Sequence, residues 1–272
     1  MDTAALMQSY LDIIDMAKDL RFSLPLGSLF PWIFLYARPK ARYMMRHPEK
    51  FNDQDKFDFG MRVIDKIKHR ARVKTLVYGR DNVPRDETVV YYSNHQGKFD
   101  ALGILRAMNY EPTSVLWDKK TSNRIIATEM SFLVSAVQID LETMKGKAQG
   151  IIEAIDLVKN GRDMLIFPEG YTDPTKGNRL GEFQSGCFAC SLKTHTTIVP
   201  IAIYDSYKAM NGNNIFKTVT MQVHFLDPIR YEEYKDLNKQ ELSDLVRSRI
   251  EAKIEELDNT VEKDALQPDR NI

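Results

Sequence analysis

A chain of 272 residues with 43% hydrophobic and 28% charged residues is long enough for one large domain and a sizeable core. It is too apolar for disorder, and its two cysteines exclude a disulfide framework and fit a reduced compartment. Its 38 Lys and Arg balance 38 Asp and Glu, so composition offers no basic footprint for nucleic acid and, taken as a sum, no attraction to a membrane.

In chain order, the start Met1-Asp2-Thr3 has no basic region ahead of an apolar run, so no secretory signal is expected. Leu6, Tyr10, Ile13, Ile14, Ala17 and Leu20 then form a helical stripe. The most apolar segment follows at residues 24–37, LPLGSLFPWIFLYA. As a helix it would cover about 21 Å, short of the roughly 30 Å of hydrocarbon in a bilayer, so no spanning helix is expected. Pro31 is placed to start a helix, and Trp32 and Tyr36 suit an interface. A third helical stretch, residues 55–70, has Phe59, Val63, Ile64 and Ile67 at helical spacing.

From residue 73 the pattern alternates. Strands are predicted at 73–79, 88–93, 113–117, 134–139, 163–167, 196–204 and 218–226. Helices are predicted near 99–109, 122–130, 145–159, 184–194 and 238–259. Such alternation predicts an α/β domain over 72–272, behind a separate helical appendage at 1–71.

The appendage has two readings, a hairpin packed on the sheet or an interfacial membrane anchor. Charge distribution favours the anchor. Residues 21–80 hold 14 Lys/Arg against 5 Asp/Glu, a net of +9 that the overall balance conceals. Arg38, Lys40, Arg42, Arg46, Arg62, Lys66, Lys68, Arg70 and Arg72 lie beside the Trp- and Phe-bearing segment, a combination that anionic headgroups attract.

Two short blocks carry chemistry. Ser93-Asn94-His95-Gln96-Gly97-Lys98-Phe99-Asp100 joins a strand to a helix. A turn there lets the Asp100 carboxylate take a hydrogen bond from one nitrogen of His95, leaving the other as a base for a substrate hydroxyl. A buried histidine satisfied by a neighbour is the competing reading. Phe167-Pro168-Glu169-Gly170 follows another strand, where an open α/β sheet places its ligands. An ordinary turn with a solvated Glu is its alternative. Cys187 and Cys190 share one face of a helical stretch with Phe183 and read as core residues.

Together, Asn94-His95…Asp100, Ile139-Asp140, Phe167-Pro168-Glu169-Gly170 and Val199-Pro200-Ile201 occur in an order that resembles the glycerophospholipid acyltransferase family, most closely in pattern the lysophosphatidic acid acyltransferases. The resemblance spans residues 72–230. It implies a mixed, mostly parallel sheet flanked by helices, and transfer of an acyl group from a thioester to the hydroxyl of lysophosphatidic acid, giving phosphatidic acid. His95 and Asp100 would be catalytic, with acyl-CoA or acyl-carrier protein as donor and no bound cofactor or metal. It also implies membrane lipids as partners and a peripheral or monotopic position on the cytoplasmic side of a membrane.

Two positions depart from the family pattern. Leu141 and Thr172 stand where the family has arginines that bind phosphate. The expected acceptor site is therefore Asn94, Lys98, Glu169 and Gly170, with substitute cations among Lys119, Lys120, Lys145, Lys147, Lys176 and Arg179. The lost arginines motivate an alternative acceptor, another lysophospholipid or an amino-acid-derived lipid. A catalytically silent lipid-binding protein is the rival of another class.

Overall fold

The computed structural model describes residues 20–108, 111–120, 126–210 and 216–265. Most of the stripe expected between residues 4 and 20 lies outside them. The chain begins with α1 (Leu20–Ser28) and α2 (Phe30–Trp32), which runs through a π-helical turn (Ile33–Ala37) into α3 (Arg38–Arg46). Pro39 has no N–H to offer the carbonyl four residues earlier, and a widened turn ahead of it relieves that mismatch. Then come α4 (Asp53–Ala71), β1 (Val73–Tyr78), β2 (Val89–Ser93), α5 (Phe99–Ala107), β3 (Thr113–Asp118) and α6 (Ala127–Leu133). β4 (Val137–Ile139), α7 (Met144–Lys159), β5 (Asp163–Ile166), α8 (Ala189–Thr194), β6 (Thr197–Tyr204), β7 (Val219–Phe225), α9 (Tyr231–Tyr234) and α10 (Lys239–Ala265) complete it.

The strands form one seven-stranded sheet in the order β1-β7-β6-β2-β5-β3-β4. Every pairing is parallel except β6 with β7. The carboxyl ends of β2, β3, β4, β5 and β6 therefore share one edge. All seven strands stand where the sequence pattern predicts them, with one shortened. β4 was expected from 134 but starts at 137, because residues 134–136 close α6 through a left-handed Ser135 (φ 50°) and an Ala136 N–H bond to the Ser131 carbonyl.

Strand alternation explains the layering. In β2, Val89 and Tyr91 enter one apolar cluster and Val90 and Tyr92 the other. The first cluster includes or packs against residues of α2 to α6, the second residues of α7, α8 and α10. The expected boundary at 71/72 coincides with the joint between α4 and β1. The described residues before it nevertheless share a core with the sheet. Leu29, Ile33, Ala37, Ala41 and Met44 share the first cluster with the sheet. Buried Arg21 bonds the carbonyls of Ala71 and Lys217, pinning α1 to the end of α4.

What the helices leave outside is also apolar. Phe30, Phe34, Leu35, Tyr36, Tyr43 and Met45 are exposed, Leu35 at 82%. Among the described residues no helix is long and apolar enough to cross a membrane. The basic block is smaller than its sequence count. Lys68 is buried and donates to Thr75 Oγ1 at 2.6 Å, and burial lowers its pKa to about 8. Arg72 bonds the Phe216 carbonyl, and Arg38 and Arg42 converge on Glu129.

Candidate active site

The site lies at the shared carboxyl edge, over the central strand β2. His95 leaves the end of β2, and Asp100 sits in the first turn of α5. His95 Nδ1 lies 2.8 Å from Asp100 Oδ2, with the histidine side chain 20% exposed and the aspartate fully buried. Asp100 Oδ2 also accepts the Gln96 and Gly97 N–H groups, and Oδ1 accepts the Ser206 hydroxyl. Asp100 is thus an acceptor throughout, and Nδ1 is the protonated nitrogen of His95. No hydrogen bond to His95 Nε2 is seen among the described residues, and with the side chain part exposed its lone pair is available to act as a base. The ring is held by Phe167, stacked at 4.1 Å between centroids.

Glu169 is the second constituent. It follows β5, which pairs with β2 so that Tyr92 faces Ile166. This register brings Glu169 Oε1 to the His95 N–H at 2.9 Å, while Oε2 accepts the Gly181 N–H at 2.9 Å and lies 3.7 Å from Lys176 Nζ. A Cβ at position 181 would collide with Glu169 Oε2 and stand 2.7 Å from Lys176 Nζ, so any other residue there would have to displace these side chains. Burial raises the Glu169 pKa, against the opposing pull of the His95 N–H, the Lys176 charge and the Gly181 N–H. Lys176 also donates to the Tyr171 hydroxyl and stands over its ring at 4.1 Å. Burial opposes its charge, but the Tyr171 bond and the Glu169 carboxylate raise its pKa overall.

The remaining expected site residues fall in different places. Asn94 is buried, and its amide both donates to the Ile203 carbonyl at 2.9 Å and accepts the Ile203 N–H at 2.7 Å. It extends the β2–β6 pairing past Ser93, so in this structure the side chain is committed to the backbone of Ile203. Lys98 is half-buried directly before α5, and Gly170 turns the Glu169 loop at φ 70°. Lys119 and Lys120 are exposed beyond β3, Lys120 paired with Glu142 at 2.6 Å. Lys145 is exposed in the first turn of α7, and Arg179 is exposed and bonded to the Lys176 carbonyl. Of the substitute cations, Lys176 alone is tied to the His95–Glu169 constellation by a contact seen among the described residues.

Several residues of the site were not read from the sequence. Ser206 reaches Asp100 from the turn after β6. Gln96 binds the Ile203 carbonyl, the Asn178 side chain and the Tyr207 N–H, joining three loops. Position beside His95 was the one available signal for Gln96. Ser206 had none, because its role depends on the β2–β6 pairing. Cys187 and Cys190 belong to the second apolar cluster, and burial pushes both thiols up, Cys190 to about 12.

A profile of the acyltransferase family matches residues 74–204. A 1-acyl-sn-glycerol-3-phosphate acyltransferase of Borreliella burgdorferi is 27% identical over 190 residues, covering 68% of this chain and 73% of its own. The Escherichia coli protein of the same description is 29% identical over 176 residues, covering 63% and 69%. The crystal structure of the 1-acyl-sn-glycerophosphate acyltransferase from Thermotoga maritima aligns with a TM-score of 0.66 over 91% of this chain and 97% of that one. At 19% identity, that last likeness is one of fold.

Proposed function

This chain belongs to the acyltransferase family and is an enzyme of the 1-acyl-sn-glycerol-3-phosphate acyltransferase type, and from that premise we propose that it moves a fatty acyl group from a thioester to lysophosphatidic acid. The observation that carries this reading is the His95–Asp100 pair, with Nδ1 fixed at 2.8 Å and Nε2 open. Nε2 takes the proton of the glycerol hydroxyl as its oxygen attacks the thioester carbonyl. The tetrahedral intermediate then collapses, the C–S bond breaks, and the departing sulfur takes that proton from the imidazolium. The products are phosphatidic acid and a free thiol. Asp100 orients the ring and stabilises the transient cation.

No acyl-enzyme is required. The chain has no G-x-S-x-G elbow, and the two thiols are buried in the core. The donor is acyl-CoA or acyl-carrier protein. Glu169 braces the His95 backbone, and Lys176, beside Glu169, is the cation best supported for the acceptor phosphate, with Lys98, Lys119, Lys145 and Arg179 as further candidates. The exposed aromatic face of α2 and α3 rests on the cytoplasmic surface of the membrane that supplies the acceptor.

Leu141 and Thr172 favour a second reading, in which the acceptor is a lipid whose headgroup needs fewer cations. Thiol release from acyl-CoA or acyl-carrier protein, measured over a panel of lyso-acceptors, separates the two. Release with lysophosphatidic acid well above the others supports the first. A stronger response to another lysophospholipid or to an amino-acid-derived lipid supports the second, and release no greater than donor hydrolysis with every acceptor sinks both.

A further inference from the structure

Arg38 and Arg42 stand four residues apart on α3, one helical turn. Both direct their Nε groups at a single oxygen, Glu129 Oε1, at 3.0 and 2.9 Å. Glu129 comes from α6 and its side chain is 3% exposed, against 24% for Arg38 and 53% for Arg42. Burial works against the Glu129 charge, and the two guanidiniums more than offset it, holding its pKa below the usual range.

This arrangement leaves something over. One carboxylate faces two guanidiniums, so the cluster keeps a net charge of +1. Only the Nε edge of each arginine is engaged. The terminal amino groups of both have no hydrogen-bond partner among the described residues. A guanidinium locked by one edge presents its other donors in a fixed fork, which suits the oxygens of a phosphate.

The surroundings select the kind of phosphate. The Arg38 guanidinium stands 5.0 Å over the Phe34 ring, and Phe34 packs on Phe30 at 4.1 Å. Phe30, Phe34, Leu35, Tyr43 and Met45 are all exposed on this same run of helix. A soluble anion would have no use for that apolar surround, whereas a headgroup arrives with acyl chains attached.

We propose that Arg38 and Arg42, held by Glu129, form a binding site for the phosphate of an anionic membrane phospholipid, separate from the His95–Asp100 centre. The site rests on the reading of α2 and α3 as a membrane-docking face. It turns general attraction to a negative surface into a fixed contact, and it joins that contact to α6 and hence to the sheet core. A bound headgroup sets the orientation in which the enzyme sits on the bilayer.

The test is vesicle co-sedimentation of the full chain with phosphatidylcholine alone and with phosphatidylcholine containing phosphatidylglycerol. Wild type should bind the anionic vesicles more tightly by about tenfold or more, on the scale of two cations near a charged surface. Arg42→Gln, a change at a half-exposed side chain, should remove most of that gain and leave binding to neutral vesicles unchanged. Arg70→Gln removes the same charge from an exposed position on α4 and should cost little. Arg38→Lys with Arg42→Lys keeps the charge but loses the forks, and should fall between wild type and Arg42→Gln.

Equal losses for Arg42→Gln and Arg70→Gln would overturn the site in favour of diffuse attraction. So would full retention of the gain by the double lysine variant. Failure to bind either vesicle would overturn the docking reading together with the site. Thiol release in neutral detergent micelles reads acyl transfer independently of all these outcomes.

Discussion

The carboxyl edge of the sheet and the outer face of α2 and α3 solve opposite problems. At the sheet edge the polar groups are paired and enclosed. Asp100 receives four donors, Glu169 receives two backbone N–H groups, and Asn94 exchanges two hydrogen bonds with the Ile203 backbone. On the helical face large apolar side chains stand in the open, with cations near the rings of Phe34 and Tyr43. The first pattern fixes one nitrogen in space, and the second leaves a surface that a lipid bilayer would cover. On the proposed reading chemistry and location fall to different layers of one core, and each should survive the loss of the other.

The sharpest way to break that division is Asp100→Asn. Loss of the ring's acceptor should lower the acylation rate by about 10²–10⁴-fold, with vesicle binding intact. Steady-state thiol release beside co-sedimentation checks both halves, and a parallel loss of vesicle binding would erase the division.

A stability control comes from the far end of the sheet. Asp163 accepts the Val89 N–H and the Tyr91 hydroxyl, and burial raises its pKa from 3.8 to about 6. The folded state therefore favours the protonated form. Its contribution is complete below about pH 4 and is lost as pH rises through about 6, on the order of 3 kcal/mol across that window. Asp163→Asn should flatten the pH dependence of Tm over this range while sparing both rate and docking. An unchanged slope in a pH series of thermal melts would show that Asp163 does not titrate in this way.

Leu35→Asp probes the other side of the comparison. Losing one inserted side chain of this size removes about 1.5–3 kcal/mol of transfer energy, so vesicle affinity should fall by about tenfold or more. The rate on a short-chain acceptor dispersed in neutral detergent should stay at the wild-type value. A fall in that rate would mean that the helical face also shapes the active site.

The smallest effect expected is at Lys176. Lys176→Ala should raise the acceptor KM by roughly tenfold, as for one lost charge-assisted contact of about 1.4 kcal/mol, with a lesser change in kcat. A change confined to kcat would make Lys176 a brace for Glu169 instead of an acceptor ligand.

Local pattern carried much of this architecture, and register carried the rest. The strands were visible as short β-branched and aromatic runs, most clearly β2 and β6, which are buried throughout and leave an uninterrupted apolar signature. The His95–Asp100 pair was visible because its members are five residues apart across one turn. The structural part played by Asn94 was hidden for a reason of the opposite kind. Its partner, Ile203, is 109 residues away, and only the β2–β6 register brings them together. Ser206, 106 residues from Asp100, was hidden in the same way. The basic block was overcounted because a sum over residues 21–80 does not distinguish Lys68, turned inward, from Arg70, turned outward.

The central claim is that His95 Nε2 is the base that deprotonates the acceptor hydroxyl. Its most direct test is thiol release from acyl-CoA or acyl-carrier protein with lysophosphatidic acid, wild type against His95→Ala, with vesicle binding measured on the same preparations. Loss of nearly all acceptor-dependent release, about 10²-fold or more, with unchanged binding is the result predicted. Release that survives the substitution at the wild-type rate would contradict the assignment of His95 and the mechanism built on it.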